Sequence, residues 1–178
     1  MNYWWIYKQI VWLFYGSTSL QGGTPNSTIG VELTALTGKS LIATGPGLTI
    51  NGAPVGAGAI QIARTPSGTF QVYMAASCGG PTWVPWGVRA SGLSIGSSGD
   101  PTNLNNLIRV GQATTTRGYR GALVMVASGT TTHYVVNRLP IEDYLRGVVP
   151  RESPASWGDL GAGRGMNALR AQAVAARA

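Results

Sequence analysis

Cysteine and histidine are almost absent: Cys78 and His133 are the only ones in the chain. An intrachain disulfide framework is therefore excluded. A protein zinc site takes three or four ligands, mostly of these two types, so no metal centre is expected. A histidine-based nucleophilic triad would have to use His133. Charge is scarce as well, at 11% of 178 residues, and only six residues are acidic; an average globular protein carries about 25% charge. No stretch reaches the roughly 20 apolar residues that a membrane-spanning helix needs. No glycine-rich stretch ends in the Gly-Lys-Ser/Thr of a phosphate-binding loop, and no dinucleotide glycine pattern follows a strand, so no cofactor is expected.

What is present is a chain that is 44% hydrophobic with 26 Gly and 10 Pro. A disordered chain combines low hydrophobicity with high net charge, which is the opposite balance. Many turns and abundant Ser and Thr point to strand-rich structure over a helical bundle. The net charge is +7, from Lys8, Lys39 and eleven scattered Arg against six acids. Nucleic-acid binders gather such charge on one face or in one run; none exists here, so nucleic acid is not an expected partner. A net-positive protein outside the cytoplasm would also be drawn to anionic cell-wall polymers by simple attraction. Four of the six acids, Glu142, Asp143, Glu152 and Asp159, fall within one 18-residue window.

Residues 1–15 are aromatic-rich and interrupted by Lys8 and Gln9. Ile6, Ile10, Leu13 and Phe14 recur on one helical face, so a short amphipathic helix ending near Gly16 is expected. The competing reading of this segment is a damaged signal or an interfacial anchor. Residues 1–27 are thus read as helix and connection, and 28–178 as a single domain.

From Thr28 to Leu139 the pattern is strands and turns. Ile29–Leu33 alternates apolar with polar. Further strands are expected at Ser40–Thr44, Gly47–Asn51, Ala59–Ala63, Thr69–Ala75, Leu107–Gln112, Tyr119–Ala127 and Thr131–Arg138. Asn51-Gly52 is a strong two-residue hairpin signal. In Thr65-Pro66-Ser67-Gly68 proline presets φ and glycine admits φ > 0. Ser128-Gly129 closes the clearest hairpin. Ser77–Asp100 yields no assignment. After Leu139 the period becomes helical. Pro140 suits the first helical position, and Glu142 and Asp143 suit the first turn through the helix dipole. Pro150 should end this helix near Val149. Asn167–Arg177 is strongly helical by propensity and reaches the chain end with no Gly or Pro stop, as a fragment would. The fold class expected is α+β: a β-rich portion with hairpins, then two C-terminal helices.

Ordered blocks carry a resemblance. They run Tyr119-Arg120-Gly121, then Val135-Val136-Asn137-Arg138-Leu139-Pro140-Ile141-Glu142-Asp143-Tyr144-Leu145. Gly147-Val148-Val149-Pro150-Arg151-Glu152-Ser153-Pro154 follows, and Ala168-Leu169-Arg170-Ala171-Gln172-Ala173-Val174-Ala175-Ala176-Arg177 closes the series. Over about 60 residues this resembles the stage II sporulation protein D / LytB (SpoIID/LytB) family of bacterial cell-wall proteins, in its actinobacterial form. The resemblance implies a peptidoglycan lytic transglycosylase that cuts peptide-free glycan strands and leaves 1,6-anhydro-muramic ends. It carries the catalytic glutamate over to Glu152 and the helix arginine over to Arg177. Arg151, Gln172 and Trp157 join Arg177 as substrate-binding candidates. Ser153 departs from the methionine that the family commonly has before the proline. The family's strands beyond the Ala-rich helix, its Gly-His-Gly-x-Gly-Met-Ser-Gln-like segment and the zinc-binding Cys and His of some members have no counterpart here. The resemblance thus implies a chain truncated at both ends. A secretory signal, and with it any membrane association, would lie in the missing upstream part, and the location would be extracytoplasmic, in the cell wall or secreted.

The chemistry is consistent with a single carboxyl group. Hydrolytic glycosidases need two carboxylates flanking the bond. A transglycosylase that uses the substrate's own C6 hydroxyl activates no water, so one Glu can protonate the leaving oxygen and then accept the hydroxyl proton. Such an acid requires an apolar setting, which Pro150, Pro154 and Trp157 could supply to Glu152. Arg151 and Arg177 would suit a substrate carboxylate or lactyl group. Simpler readings stand beside these. Glu152 is a solvated loop residue or cap, His133 a cross-strand packing residue, Cys78 an inert thiol, and Trp83, Trp86 and Trp157 packing aromatics. The alternative function is a non-catalytic wall-binding protein that enhances a cell-wall amidase. A third is a structural β-rich module.

Overall fold

Among the described residues the chain forms twelve short strands and two α-helices, most of them where the sequence pattern places them. The computed structural model describes residues 27–80, 82–89, 92–100, 103–112 and 115–177. The amphipathic helix expected within residues 1–15 lies outside them. The strands are β1 (Thr28–Glu32), β2 (Leu41–Thr44), β3 (Leu48–Ile50), β4 (Ala53–Pro54), β5 (Ala59–Arg64), β6 (Phe70–Ala75), β7 (Val84–Arg89), β8 (Leu93–Ser97), β9 (Ile108–Gln112), β10 (Thr115–Tyr119), β11 (Ala122–Ser128) and β12 (Thr132–Pro140). The helices are α1 (Ile141–Glu152) and α2 (Met166–Arg177). The architecture is therefore α+β, strand-rich with two C-terminal helices. The chain divides into two compact units, one of them Ile29–Leu139. The other holds the helices, and in it the Ser27 carbonyl accepts the Ile141 N–H at 2.9 Å.

Within the strand unit two six-stranded sheets form, ordered β1-β12-β11-β8-β3-β4 and β10-β9-β2-β5-β6-β7. Both feed one core. Leu48 and Ile50 of β3, Leu93 and Ile95 of β8, and Leu123 and Met125 of β11 come from the first sheet. Leu41 of β2, Ile60 and Ile62 of β5, and Phe70 and Val72 of β6 come from the second. Each such side chain sits two residues from its neighbour on the strand, so the period of 2 delivers them to one face. Fully burying one contributes about 1.5–3 kcal/mol.

The hairpins form at the expected turns. Asn51 and Gly52 both take positive φ, 50° and 81°, and join β3 to β4. That is the primed turn whose twist matches the strands. Gly68 (φ 81°) donates to the Thr65 carbonyl at 2.9 Å between β5 and β6. Gly129 (φ 60°) lies between β11 and β12, which pair in full register from Ala122↔Arg138 to Ser128↔Thr132.

Three strands escape the sequence pattern. β7 contains Pro85 and Gly87 and pairs with β6 across a register irregularity at Val72/Tyr73, so its alternation is broken. β8 lies in the unassigned Gly/Ser-rich stretch. β10, Thr115–Tyr119, pairs antiparallel with β9, and Tyr119 faces Ile108. The strand expected over Tyr119–Ala127 is thus two strands, parted at Gly121. That residue takes φ 73°, and a Cβ there would lie 2.4 Å from the Arg138 carbonyl oxygen. Buried Asn137, with its amide nitrogen toward β11, donates to the Arg120 and Ala122 carbonyls at 2.9 and 3.2 Å.

His133 is a packing residue, as its place in the strand suggests. It is 1% exposed, and its ring meets Phe70 edge-on at 5.6 Å. Burial pulls its pKa below the ordinary 6.5; the hydrogen bond to Lys39 opposes this, and the Arg64 charge adds to it. A depressed histidine means that the unfolded chain binds the extra proton first. Stability is therefore full above pH ~6.5 and falls as pH drops below it. Denaturant unfolding between pH 7.5 and 5 should show this loss in the wild type, and a shallower slope in His133→Gln. Equal slopes would mean that His133 does not titrate with folding.

Candidate active site

The helical unit begins where strand pairing stops. Pro140 closes β12 and caps α1 at φ −56°, ψ 143°, so it is not the first helical residue. The chain is still extended there, and Ile141 is the first residue free to turn. Glu142 and Asp143 occupy the first turn, as the dipole favours. Asp143 Oδ1 pairs with Arg146 Nη1 at 3.0 Å on the exposed face, a contact of a few tenths of a kcal/mol. Leu145 is the buried anchor of α1.

Pro150 does not stop the helix; α1 continues through Arg151 to Glu152. A proline costs the bond to the carbonyl four residues back. Here that loss falls in the last turn, and the next is recovered when the Ser153 N–H donates to the Val149 carbonyl at 2.9 Å. One extra turn thus places Glu152 at the helix end, not in a loop. Arg151 beside it complements the C-terminal dipole.

Ser153 is buried, and Pro154 leads into a 3-10 turn, Ala155–Asp159. Gly158 is buried in that turn, and a Cβ there would sit 3.1 Å from the Met166 methyl carbon. Gly165 is tighter: its Cβ would fall 1.7 Å from the Trp157 carbonyl oxygen. The Gly165 N–H also donates to the Leu160 carbonyl at 3.1 Å. Gly165→Ala should therefore pry α2 off the turn, read as lower helical circular dichroism and an earlier thermal transition. Gly163→Ala, in open space but at φ 86°, should cost only the local strain, roughly 1–3 kcal/mol. A Gly165→Ala protein with wild-type helicity and melting would contradict this packing.

Across the turn, α2 packs against both α1 and the 3-10 segment. Its alanines allow close approach, and Leu169, Gln172, Ala173 and Ala176 are half-buried at helical spacing. Gln172 is the polar member of that stripe, and its Nε2 donates to Glu152 Oε2. The acid and the amide are 20 residues apart in sequence and meet where α2 faces the end of α1.

The surroundings of Glu152 differ from the apolar enclosure expected. Glu152, Pro150 and Pro154 are exposed, and Trp157 is half-buried. The carboxylate stands at a helix end, and its described hydrogen-bond partner is an amide, so one side faces solvent. Arg151 is exposed next to it. Arg177 is the last residue of α2, and its side chain is outside the described residues. Trp83 and Trp86 lie in the strand unit, where the Arg89 guanidinium covers the Trp86 ring at 4.9 Å. Cys78 Sγ donates weakly to the Gly111 carbonyl at 3.7 Å. Among the described residues no group of three His, Cys, Asp or Glu could hold a metal, and no helix is long and apolar enough to cross a membrane. The pairing of Gln172 with Glu152 is the contact that sequence reasoning did not find; both residues lay in the blocks quoted for the family, but nothing local says that they touch.

Residues 129–178 match the family model described as Stage II sporulation protein, SpoIID. That stretch contains β12, α1, the turn and α2. Over 59 residues the chain is 46% identical to an uncharacterized protein of Brachyspira hyodysenteriae; the match covers 33% of this chain and 14% of that protein. No solved structure matches.

Proposed function

Taking as premise that residues 129–178 match the SpoIID family model, which supports a cell-wall-related function, we propose that the chain cleaves peptide-free peptidoglycan glycan strands as a lytic transglycosylase with Glu152 as its acid and base. The observation that carries this reading is the Glu152–Gln172 pair inside the matched segment. Gln172 holds Oε2, which leaves Oε1 to work. In the first half of the reaction Oε1–H gives its proton to the glycosidic oxygen while the C1–O bond breaks. In the second, the muramic C6 hydroxyl attacks C1 and its proton passes to the carboxylate. The 1,6-anhydro ring forms, the acid is restored and no water is consumed. Removal of water from the exposed carboxylate then falls to the glycan laid over it. Arg151 beside Glu152 suits a lactyl carboxylate as a charged, planar donor, with Arg177 and Trp157 as further substrate contacts. On this reading the partners are peptidoglycan glycan strands, and the protein acts outside the cytoplasm, in the cell wall or secreted.

Mass spectrometry of peptide-free strands incubated with the folded chain tests this directly. New 1,6-anhydro-ended fragments are expected; reducing ends or no fragments would remove the transglycosylase reading. The exposure of Glu152 favours one rival, a non-catalytic wall-binding protein that enhances an amidase. It expects faster amidase turnover in the presence of either the wild type or a Glu152 variant.

A further inference from the structure

The outer face of the first sheet, in the strand unit, carries a surface that the chemistry of Glu152 does not use. An antiparallel sheet with one face in water ordinarily alternates apolar inward with polar outward. β11 and β12 break that rule. His133, Val135 and Asn137 are buried, so Tyr134 and Val136 point the other way. Val126 lies opposite Tyr134, and Val124 opposite Val136. Tyr134 and Val126 are 40% and 42% exposed. Large apolar side chains gathered in the open mark a binding surface. Two strand glycines keep the ground beside this cluster low. Gly30 of β1 is exposed, and a Cβ there would lie 3.1 Å from Val136 Cγ1. Gly96 of β8 pairs with Thr49 of β3, and a Cβ there would fall 2.7 Å from Thr49 Oγ1. Glycine inside a strand weakens it and often marks the close approach of a ligand.

The rest of the face is polar and of one charge. Ser94 lies opposite Val124 and extends the surface with a hydroxyl. Arg138 is exposed opposite Ala122 on the same face of β12, four residues and roughly 14 Å along the strand from Tyr134. Among the described residues no carboxylate pairs with it. Glu32 of the edge strand β1 accepts from Thr37 Oγ1 at 3.2 Å. The unit as a whole favours anions, since Ile29–Leu139 holds seven Lys and Arg against Glu32 and Asp100. An aromatic ring beside valines suits the C–H face of a sugar, the hydroxyls suit its rim, and a free guanidinium suits a carboxylate. Peptide-free peptidoglycan offers all three, because each muramic residue carries a free lactyl carboxylate. We propose that this sheet face is a glycan-holding surface: Tyr134 and Val126 pack on one sugar of such a strand, and Arg138 pairs with a lactyl carboxylate further along it. The choice of polymer rests on the glycan reading above; the surface itself needs no cleavage to act.

The test is nitrogen-15 NMR of the full labelled chain carrying Glu152→Gln, which keeps strands uncut, at constant ionic strength. Peptide-free glycan strands are titrated beside chitohexaose, which has the same linkage but no lactyl carboxylate. The strands should shift the Gly30, Gly96, Val126 and Tyr134 amides and bind about tenfold tighter than chitohexaose. Tyr134→Ala should weaken both ligands about tenfold. Arg138→Gln should bring the strands down to the chitohexaose value. Binding that leaves those amides unmoved overturns the surface, as does no binding at all, or a folded Tyr134→Ala that binds like its parent. Amides that shift on concentrating the protein without glycan assign the face to a second copy and also overturn it. If either variant does not fold, the map of shifted amides and the comparison of the two ligands decide. The catalytic reading is judged separately, by 1,6-anhydro ends from the wild type. Ends without shifts on this face strike the surface alone, and shifts without ends strike the transglycosylase alone.

Discussion

Glu152→Gln should lower the rate of glycan cleavage by about 10²–10⁴-fold, the contribution of one positioned acid/base group. The substitution preserves shape, and the new amide oxygen can still accept from Gln172 Nε2, the bond that Glu152 Oε2 receives in the wild type. It removes only the proton that the leaving oxygen needs. Glycan binding should persist, since Arg151 and the other proposed contacts are untouched. The readout is the yield of 1,6-anhydro ends by mass spectrometry, with strand binding measured in parallel. A variant cutting within tenfold of the wild type would exclude Glu152 as the acid. Loss of both binding and cutting would point to a structural role for the carboxylate at the junction of α1 and α2.

The largest stability effect should come from Phe70→Ala. Phe70 is fully buried in the shared core of the two sheets. Removing a buried Phe side chain costs about 3–5 kcal/mol from lost transfer energy and the cavity left behind. Its ring also receives the edge of His133 at 5.6 Å and carries the Arg64 guanidinium at 4.7 Å. Those contacts place the cost at the upper end of that range. At roughly 4–8 °C per kcal/mol for a unit of about this size, the transition should fall by more than about 10 °C. Val126→Ala, on a strand surface where the side chain is 42% exposed, should stay within about 0.5 kcal/mol of the wild type. A Phe70→Ala protein melting within a few degrees of the parent would mean that the sheets do not share that core.

Local chemistry was enough to determine part of this protein. Asn51-Gly52, Thr65–Gly68 and Ser128-Gly129 dictate turns because their φ preferences act within two or three residues. The alternation in Leu41–Thr44, Ala59–Arg64 and Phe70–Ala75 dictates strands, and Ala168–Arg177 dictates a helix, because both periods are properties of consecutive side chains. The blocks around Glu152 pointed to the SpoIID family for the same reason: they are contiguous. Tertiary structure decided the rest. β7 and β10 exist because β6 and β9 offer backbone partners to segments with weak patterns of their own. Gly121 divides two strands because the Arg138 carbonyl crosses over it. Pro140 stayed extended at the end of β12, and Pro150 stayed helical where the Ser153 N–H to Val149 carbonyl bond closes the last turn. Gln172 reaches Glu152, and His133 shares a cleft with Arg64, through packing of segments 20 and 69 residues apart. Contacts at that separation depend on the summed burial of whole elements, which no short window of sequence contains.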